Sequence, residues 1–288
     1  MDTTCPFIQA IQATYPDFVA NKATFLEDGQ YNDVLLVNGR TIFRFPHYPG
    51  GVAQLALETK ILTAVQPFLP LPVPNPSFVQ FANATVGQAF MGYEMIPGEP
   101  LYPAVFAQIE DKATLAAQLA EFLQALHGVP IQSLVNEPLP VSDTRDEWLE
   151  VYGRIQTQLF PYMRLHACKT VAYHFESVLD DPTQYNFTPV LRHGDFGAGN
   201  LLHDPATQQM SGVIDFGFAV LGDPAFDVAG LLTYGEPFVQ QMVTHYPAIA
   251  DFWPRAHFYK GTFALLEGLY GAEHGDEAAF SRGLEGYV

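Results

Sequence analysis

Two acids and an amide stand out by their order and spacing. In His193-Gly194-Asp195-Phe196-Gly197-Ala198-Gly199-Asn200 an aspartate is followed, after four intervening residues, by an asparagine. Asp195 can accept the proton of an attacking hydroxyl. Asn200, a neutral oxygen ligand, can reach a divalent cation without adding negative charge beside a phosphate. Twenty positions after Asp195 comes Asp215-Phe216-Gly217, led in by the apolar Gly212-Val213-Ile214. A carboxylate at such a strand end can hold the Mg2+ that bridges nucleotide phosphates. The chemistry these groups would serve together is phosphoryl transfer from a nucleoside triphosphate. A lone His-Gly-Asp is an ordinary turn whose aspartate caps a nearby amide; the ordered pair of motifs, each behind an apolar run, is what points to a site. Val190-Leu191 and Gly212-Val213-Ile214 are read as two strands of one hairpin that brings both carboxylates to one edge.

Two other chemistries compete for the same residues. Gly197-Ala198-Gly199 resembles the start of a dinucleotide fingerprint, and Asp215 lies near the spacing of its ribose acid. The third glycine position holds Leu202, however, and Pro205 falls where a helix should be under way. Metal-assisted hydrolysis is the other, since His193, Asp195 and His203 are all possible ligands, but no further His/Asp pair lies upstream to complete a two-metal site.

A nucleotide also needs a cradle, and the first hundred residues read as one. Asp33–Val37 and Thr41–Phe45 flank Asn38-Gly39, the strongest short-range hairpin signal. A helix is expected from Val52 to Val65, ended by the prolines from Pro67 to Pro76, and strands around Phe78–Phe81 and Ala89–Ile96 follow. Gly29 and Tyr31, in the turn before the first hairpin strand, are placed to bring backbone amides near phosphates. Arg44 on a strand and Glu58 on the following helix are placed to pair as a cation and carboxylate over the phosphates. Met91–Gly98 reads as a hinge whose backbone, at Glu94 and Ile96, meets a purine edge.

Beyond Pro100 the pattern turns helical, with helices expected over Ala113–His127, Asp146–Phe160 and His166–Leu179 and a mostly helical stretch from Ala225 to Tyr287. The expected architecture is therefore α+β and two-lobed. Residues 1–98 form a small antiparallel sheet with one main helix, hinged near 92–98, and residues 99–288 form a larger helical lobe with the catalytic loop, metal site and acceptor pocket. Asp227, near the start of the helix after Gly222-Asp223-Pro224, is expected to brace the catalytic loop rather than merely cap its own helix.

The 288 residues are 48% apolar and 15% charged, enough to bury a sizeable core and too ordered in pattern for a disordered chain. The formal charge of −18 disfavours nucleic acid and anionic lipid as partners. No apolar run approaches a membrane span, and the first ten residues show no signal-peptide pattern. Cys5 and Cys168 form no metal-ligand or disulfide framework, so a cytoplasmic protein, monomeric and without membrane association, is expected.

These segments, together with Ile42-Phe43-Arg44-Phe45-Pro46, Gly222-Asp223-Pro224, Tyr234-Gly235-Glu236 and Phe258–Leu265, resemble the aminoglycoside phosphotransferase family of the protein-kinase-like fold, in particular its 2''-phosphotransferases. The resemblance implies Asp195 as base and Asn200 and Asp215 as Mg2+ ligands. It also implies ATP or GTP as donor, and Glu236 and Glu267 as contacts for the amines of a polycationic drug, whose inactivation would be a form of antibiotic resistance. Macrolide kinases are similar but tend to carry His at the position of Asn200 and Trp-Thr after the metal aspartate. The departures from the family pattern are Arg44 in place of lysine and the plain loop at Gly29. A kinase for another small hydroxylated amine or a macrolide, or a silent nucleotide-binding protein of the same fold, are the alternatives.

A protein kinase is disfavoured. Gly194 replaces the arginine that reads a phosphorylated activation loop, and only a few residues separate Gly217 from Gly222. The lack of room for an activation loop predicts a constitutively active enzyme, and the 73 residues after Asp215 predict a small acceptor. Glu267, Glu273, Asp276 and Glu277 are an acidic cluster that can line a pocket for ammonium groups or form a solvated helix face.

Overall fold

The computed structural model describes residues 5–26, 31–82, 85–135 and 138–288. Helix α1 (Cys5–Thr14) precedes strands β1 (Ala23–Phe25), β2 (Asn32–Val37) and β3 (Thr41–Pro46). Helix α2 (Pro49–Val65) follows, then β4 (Phe78–Gln80) and β5 (Phe90–Glu94). Among the described residues these five strands make one antiparallel sheet in the order β1-β2-β3-β5-β4. Asn38 and Gly39 both take positive φ, 54° and 68°, and Arg40 N–H donates to the Val37 carbonyl at 3.2 Å, the turn that the Asn-Gly pair predicts. Asn38 also ties the turn to the preceding segment, accepting from the Asn21 and Lys22 amides and donating to the Val19 carbonyl.

Strand β3 is buried along its whole length because both its faces are covered. Alternation sends Phe43 and Phe45 into a small core with Ile11, Leu35, Val37 and Phe90 on the α1 side. Ile42 faces the other way, into the larger core with Leu55 and Leu62 of α2. The same two-residue period puts Arg44 on the α2 side, and helical spacing puts Glu58 on the buried stripe of Leu55 and Leu62 that meets it. Two local periodicities thus aim a cation and a carboxylate at each other.

From β6 (Glu99–Pro100) onward the chain pairs with its second half. Helices α3 (Pro103–Phe106), α4 (Lys112–His127), α5 (Ile131–Leu134), α6 (Arg145–Gln158) and α7 (Leu165–Leu179) lead to β7 (Val190–Arg192), β8 (Leu201–His203), β9 (Met210–Val213) and β10 (Val220–Gly222). Helices α8 (Ala225–Leu231), α9 (Glu236–Met242), α10 (Ile249–His274) and α11 (Glu277–Leu284) complete the order. The expected helices after Pro100 are therefore present to within two residues at each end. Among the described residues no helix is long and apolar enough to cross a membrane.

One expectation is corrected. The strands leading into the two acids do not form a hairpin with each other: β7 pairs with β10, and β9 pairs with β8. The physical reason lies in the chain after Asn200, which enters β8 at once and turns back through Asp204–Gln209 into β9, a tighter closure than one reaching back to Val190. The three-residue β8 directly behind the motif carries too short a pattern to read. Asp195 and Asp215 accordingly reach their common site from the loops that follow two different strand pairs.

Candidate active site

The loop after β7 is held in shape by a carboxylate beneath it. Asp227, fully buried on α8, accepts from the amides of His193 at 2.8 Å and Gly194 at 2.9 Å, and its Oδ2 meets His127 Nε2 at 3.1 Å. The sequence-predicted brace is therefore present, with His127 of α4 as a third contact that no local pattern announces. Gly194 has φ +84°, and a Cβ there would strike the Phe218 carbonyl, so only glycine lets the loop pass. His193 accepts from the Asp195 amide through Nδ1 at 3.2 Å and meets the Ile214 carbonyl through Nε2 at 3.0 Å. Its ring is therefore a strut between the two motifs rather than a metal ligand, and His203 is likewise spent on the Glu99 carbonyl at 2.8 Å.

Asn200 closes the loop. Its Nδ2 donates to the Asp195 carboxylate at 2.7 Å and to the Asp195 carbonyl at 2.9 Å, while its own carbonyl accepts from Ile214 N–H at 2.9 Å. The side-chain amide thus holds the Asp195 carboxylate and the backbone carbonyl holds the approach to Asp215, while Oδ1 could serve as a ligand atom. Burial raises the Asp195 carboxyl above its ordinary value, and the nearby Asp215 charge adds to this against the opposing Asn200 hydrogen bond. Asp215 has φ +64°, an uncommon backbone for a residue with a Cβ, and keeps 42% of its side chain exposed.

Across the cleft, Arg44 joins the sheet to this loop. Its NH1 meets Glu58 Oε1 at 2.5 Å and its NH2 meets Asp215 Oδ1 at 3.0 Å. Burial opposes the guanidinium charge, but Glu58 and Asp215 more than offset it and hold its pKa up; burial also raises Glu58, against the pull of Arg44. The Glu58 pairing was legible in the sequence. The contact with Asp215, across 171 positions, was not. Gln54 of α2 adds a second tie, donating to the Gly217 carbonyl at 2.8 Å.

Two cavities flank Asp195. One, of about 170 Å³, is lined by Tyr31, Arg44, Glu58, Asp195 and Asp215, and so gathers most of the expected phosphate-side residues. Gly29 lies outside the described residues. Tyr31 packs edge-on to Phe218 and Tyr270, and burial, its largest perturbation, raises its hydroxyl to about 12. Glu94 spends its carboxylate on Arg40 at 2.7 Å at the surface, so only its backbone faces the hinge. Among the described residues Ile96 N–H takes no backbone partner. The second cavity, of about 480 Å³, lies on the other side of Asp195.

The expected acceptor carboxylates do not line that second cavity. Glu267 pairs with Arg282 at 2.7 Å, and Glu273 forks onto Arg154 and Gln158. Asp276 caps α11, and Glu236 turns to His257 at 3.5 Å. Residues that sequence reasoning missed include Lys260, Phe226 and Phe263 of the cavity wall. It also missed a buried charge network in which Asp143 holds Arg192 at 2.8 Å while Asp223 holds Arg255 and the Tyr259 hydroxyl at 2.5 and 3.0 Å. The Gly222-Asp223-Pro224 motif gives a partial signal for this network. The partners lie too far away in the chain to be read.

Comparison with known proteins places these features in context. A model of the phosphotransferase enzyme family matches residues 22–259. Viomycin phosphotransferase from Streptomyces vinaceus is 28% identical over 268 residues, covering 91% of each chain. The solved GDP and kanamycin complex of APH(2'')-IIIa superposes with a TM-score of 0.88 at 26% identity, covering 97% of this chain and 96% of that one. The GDP complex of wild-type aminoglycoside 2'-phosphotransferase-IIIa gives a TM-score of 0.89 at 26% identity over 99% and 97%. The fold is thus the kinase-like aminoglycoside phosphotransferase fold.

Removing one member of a buried ion pair strands the other. Arg44→Ala should lower unfolding stability by about 3–5 kcal/mol in urea titrations, because Glu58 is left buried without its counter-charge. A loss below about 1 kcal/mol, the value of a surface pair, would refute the buried role. Asp227 supplies a pH test. Burial pushes its carboxyl up, but His127, His193 and the Gly194 amide overcome this and hold it below the ordinary value. Such a group stabilises the fold above its unfolded pKa and loses that contribution as pH falls through the folded one. Asp227→Asn should therefore cost about 2–4 kcal/mol at neutral pH, with the gap to wild type narrowing as pH drops below about 4. A gap that does not change with pH would show that the charge is irrelevant.

Proposed function

The chain belongs to the phosphotransferase enzyme family, and from that premise we propose that it transfers the γ-phosphoryl group of a nucleoside triphosphate to a hydroxyl of a small molecule, with Asp195 as the base. The observation that carries the proposal is the convergence of Asp195, Asn200 and Asp215 beside the Arg44–Glu58 pair, all within reach of two cavities that meet at Asp195. The donor belongs in the cavity under the sheet and the acceptor in the other. In the transfer, the acceptor oxygen forms a bond to the γ-phosphorus as the bond to the β–γ bridging oxygen breaks. The hydroxyl proton passes to the Asp195 carboxylate, and the nucleoside diphosphate leaves with the bridging electron pair.

The protein's own part is positioning and charge. Asn200 and the Asp227 brace fix the Asp195 carboxylate so that the acceptor meets it in one orientation. The Asp215 carboxylate and the Asn200 amide oxygen are hard oxygen donors of the kind Mg2+ prefers, and the Arg44 guanidinium against Asp215 is in keeping with positive charge at that carboxylate. A Mg2+ held by these two residues would neutralise phosphate charge in a chain whose own formal charge is −18. Arg44 is placed to swing its NH2 from Asp215 toward a phosphate while NH1 stays on Glu58, which suits its forked guanidinium better than a lysine. The backbone at Glu94 and Ile96 would receive the base. GDP in the similar structures makes guanosine as well as adenosine triphosphates donors to be tested, and kanamycin and viomycin, taken from the relatives' names, head the acceptor panel.

Phosphate release or nucleoside diphosphate formation with ATP and GTP across that panel is the direct assay. Asp195→Asn should cut kcat by about 10²–10⁴-fold with nucleotide affinity unchanged by calorimetry, as expected when a general base is lost; turnover near the wild-type value would remove the residue from the chemistry. Asp215→Ala should abolish the gain in nucleotide affinity that Mg2+ confers. Equal affinity with and without Mg2+ in the wild-type protein would overturn the metal assignment.

A further inference from the structure

Helix α10 presents Lys260, Phe263 and Leu266 on one face toward α8 and the catalytic loop, where with Phe218, Phe226 and Thr233 they surround the approach to Asp195. Asp195 is the only carboxylate among the residues lining this cavity, and Lys260 the only base. The wall is otherwise dominated by aromatic rings and aliphatic carbon. Resting on the phosphoryl-transfer reading of Asp195, we infer that this pocket takes a hydroxyl compound with an apolar or aromatic flank and an anionic group held by Lys260, rather than a polycation.

Three observations support this. Lys260 is half-buried and has no carboxylate partner among the described residues; its ammonium is 5.6 Å from the centre of the Phe263 ring. Burial depresses its pKa, as expected of a partly desolvated cation that makes no ion pair among the described residues. An anion from a ligand would supply that counter-ion, whereas a polyamine would bring like charge to the same wall. The carboxylates that a polyamine would need are engaged elsewhere: Glu267 with Arg282, Glu273 with Arg154, Asp276 as a helix cap. Glu236, three positions beyond the lining residue Thr233, is turned to His257. The formal charge of −18 draws cations toward the surface at large, but discrimination is made at contact distance, where screening is weakest and the pocket's own groups dominate.

The test uses the full-length protein with three probes: N-benzoyl-L-serine, its uncharged carboxamide, and kanamycin. Each is titrated calorimetrically with and without Mg-ADP. The wild type should bind N-benzoyl-L-serine at least tenfold more tightly than either the carboxamide or kanamycin. Lys260→Glu should reverse that order, Lys260→Gln should bring the acid and the carboxamide to within about twofold, and Lys260→Arg should preserve the wild-type ranking. Thermal melts confirm that each variant is folded, as expected for a half-exposed position. Kanamycin binding more tightly than both serine compounds, no binding of the aromatic acid, or an order unmoved by Lys260→Glu would each overturn the inference. Failure of Mg-ADP itself to bind would instead count against the phosphoryl-transfer reading, while the titrations without nucleotide still report the pocket's preference.

Discussion

A single buried guanidinium connects the sheet, its helix and the loop that carries the second acid. Arg44 sits between Glu58 and Asp215 with only 10% of its side chain exposed and Glu58 with 2%. Charges this deep are tolerated only when paired, because the cost of taking them out of water is recovered by short contacts of opposite sign. The pairing therefore constrains more than itself. Helix α2 must keep Glu58 against β3, and the Asp215 loop must keep a carboxylate under the sheet, or a charge is stranded. Asp215 remains 42% exposed while Arg44 and Glu58 are buried, so it is the member of the three that faces the cleft.

The second half of the molecule follows the same rule on a larger scale. Asp227 gathers two loop amides and His127, Asp143 gathers Arg192, and Asp223 gathers Arg255 and Tyr259. Each buried carboxylate is satisfied by donors from distant segments, so the loop that carries Asp195 is set on a framework of paired charges and not on hydrophobic packing alone. Such a framework holds the backbone of the loop, and Asn200 on the same loop then holds the Asp195 carboxylate in one orientation. Gly194 answers a separate, steric constraint, because the Phe218 carbonyl passes too close for any side chain.

The two cavities that share Asp195 differ in what lines them. The chain shares 26% of its sequence with enzymes of the same architecture, one of them solved with kanamycin. Around Asp195 stand Asn200, Asp215 and the Arg44–Glu58 pair. The wall beyond is made of rings, aliphatic side chains and one ammonium. Pocket walls of this kind select by matching shape and unpaired charge, and they do so independently of the residues that move the phosphoryl group.

What the amino-acid sequence determined was local and ordered. The Asn38-Gly39 turn, the alternation that turns Arg44 toward α2 and the helical stripe that carries Glu58 are each written within a few residues and enforced by backbone geometry over that short range, while the succession of Asp195, Asn200 and Asp215 is legible as an ordered spacing over twenty positions. The α+β class follows from the same periodicities. Tertiary structure alone decided which distant groups meet: Arg44 with Asp215, Asp227 with His127, and β7 with β10 in place of the simpler hairpin. It also decided that Glu267 and Glu273 of the acidic cluster near the end of the chain go into ion pairs and Asp276 into a helix cap, although the sequence permits those carboxylates either a pocket or a solvated face. A carboxylate's role depends on the nearest cation in space, and that neighbour is chosen by helix packing, which leaves no short-range pattern in the chain.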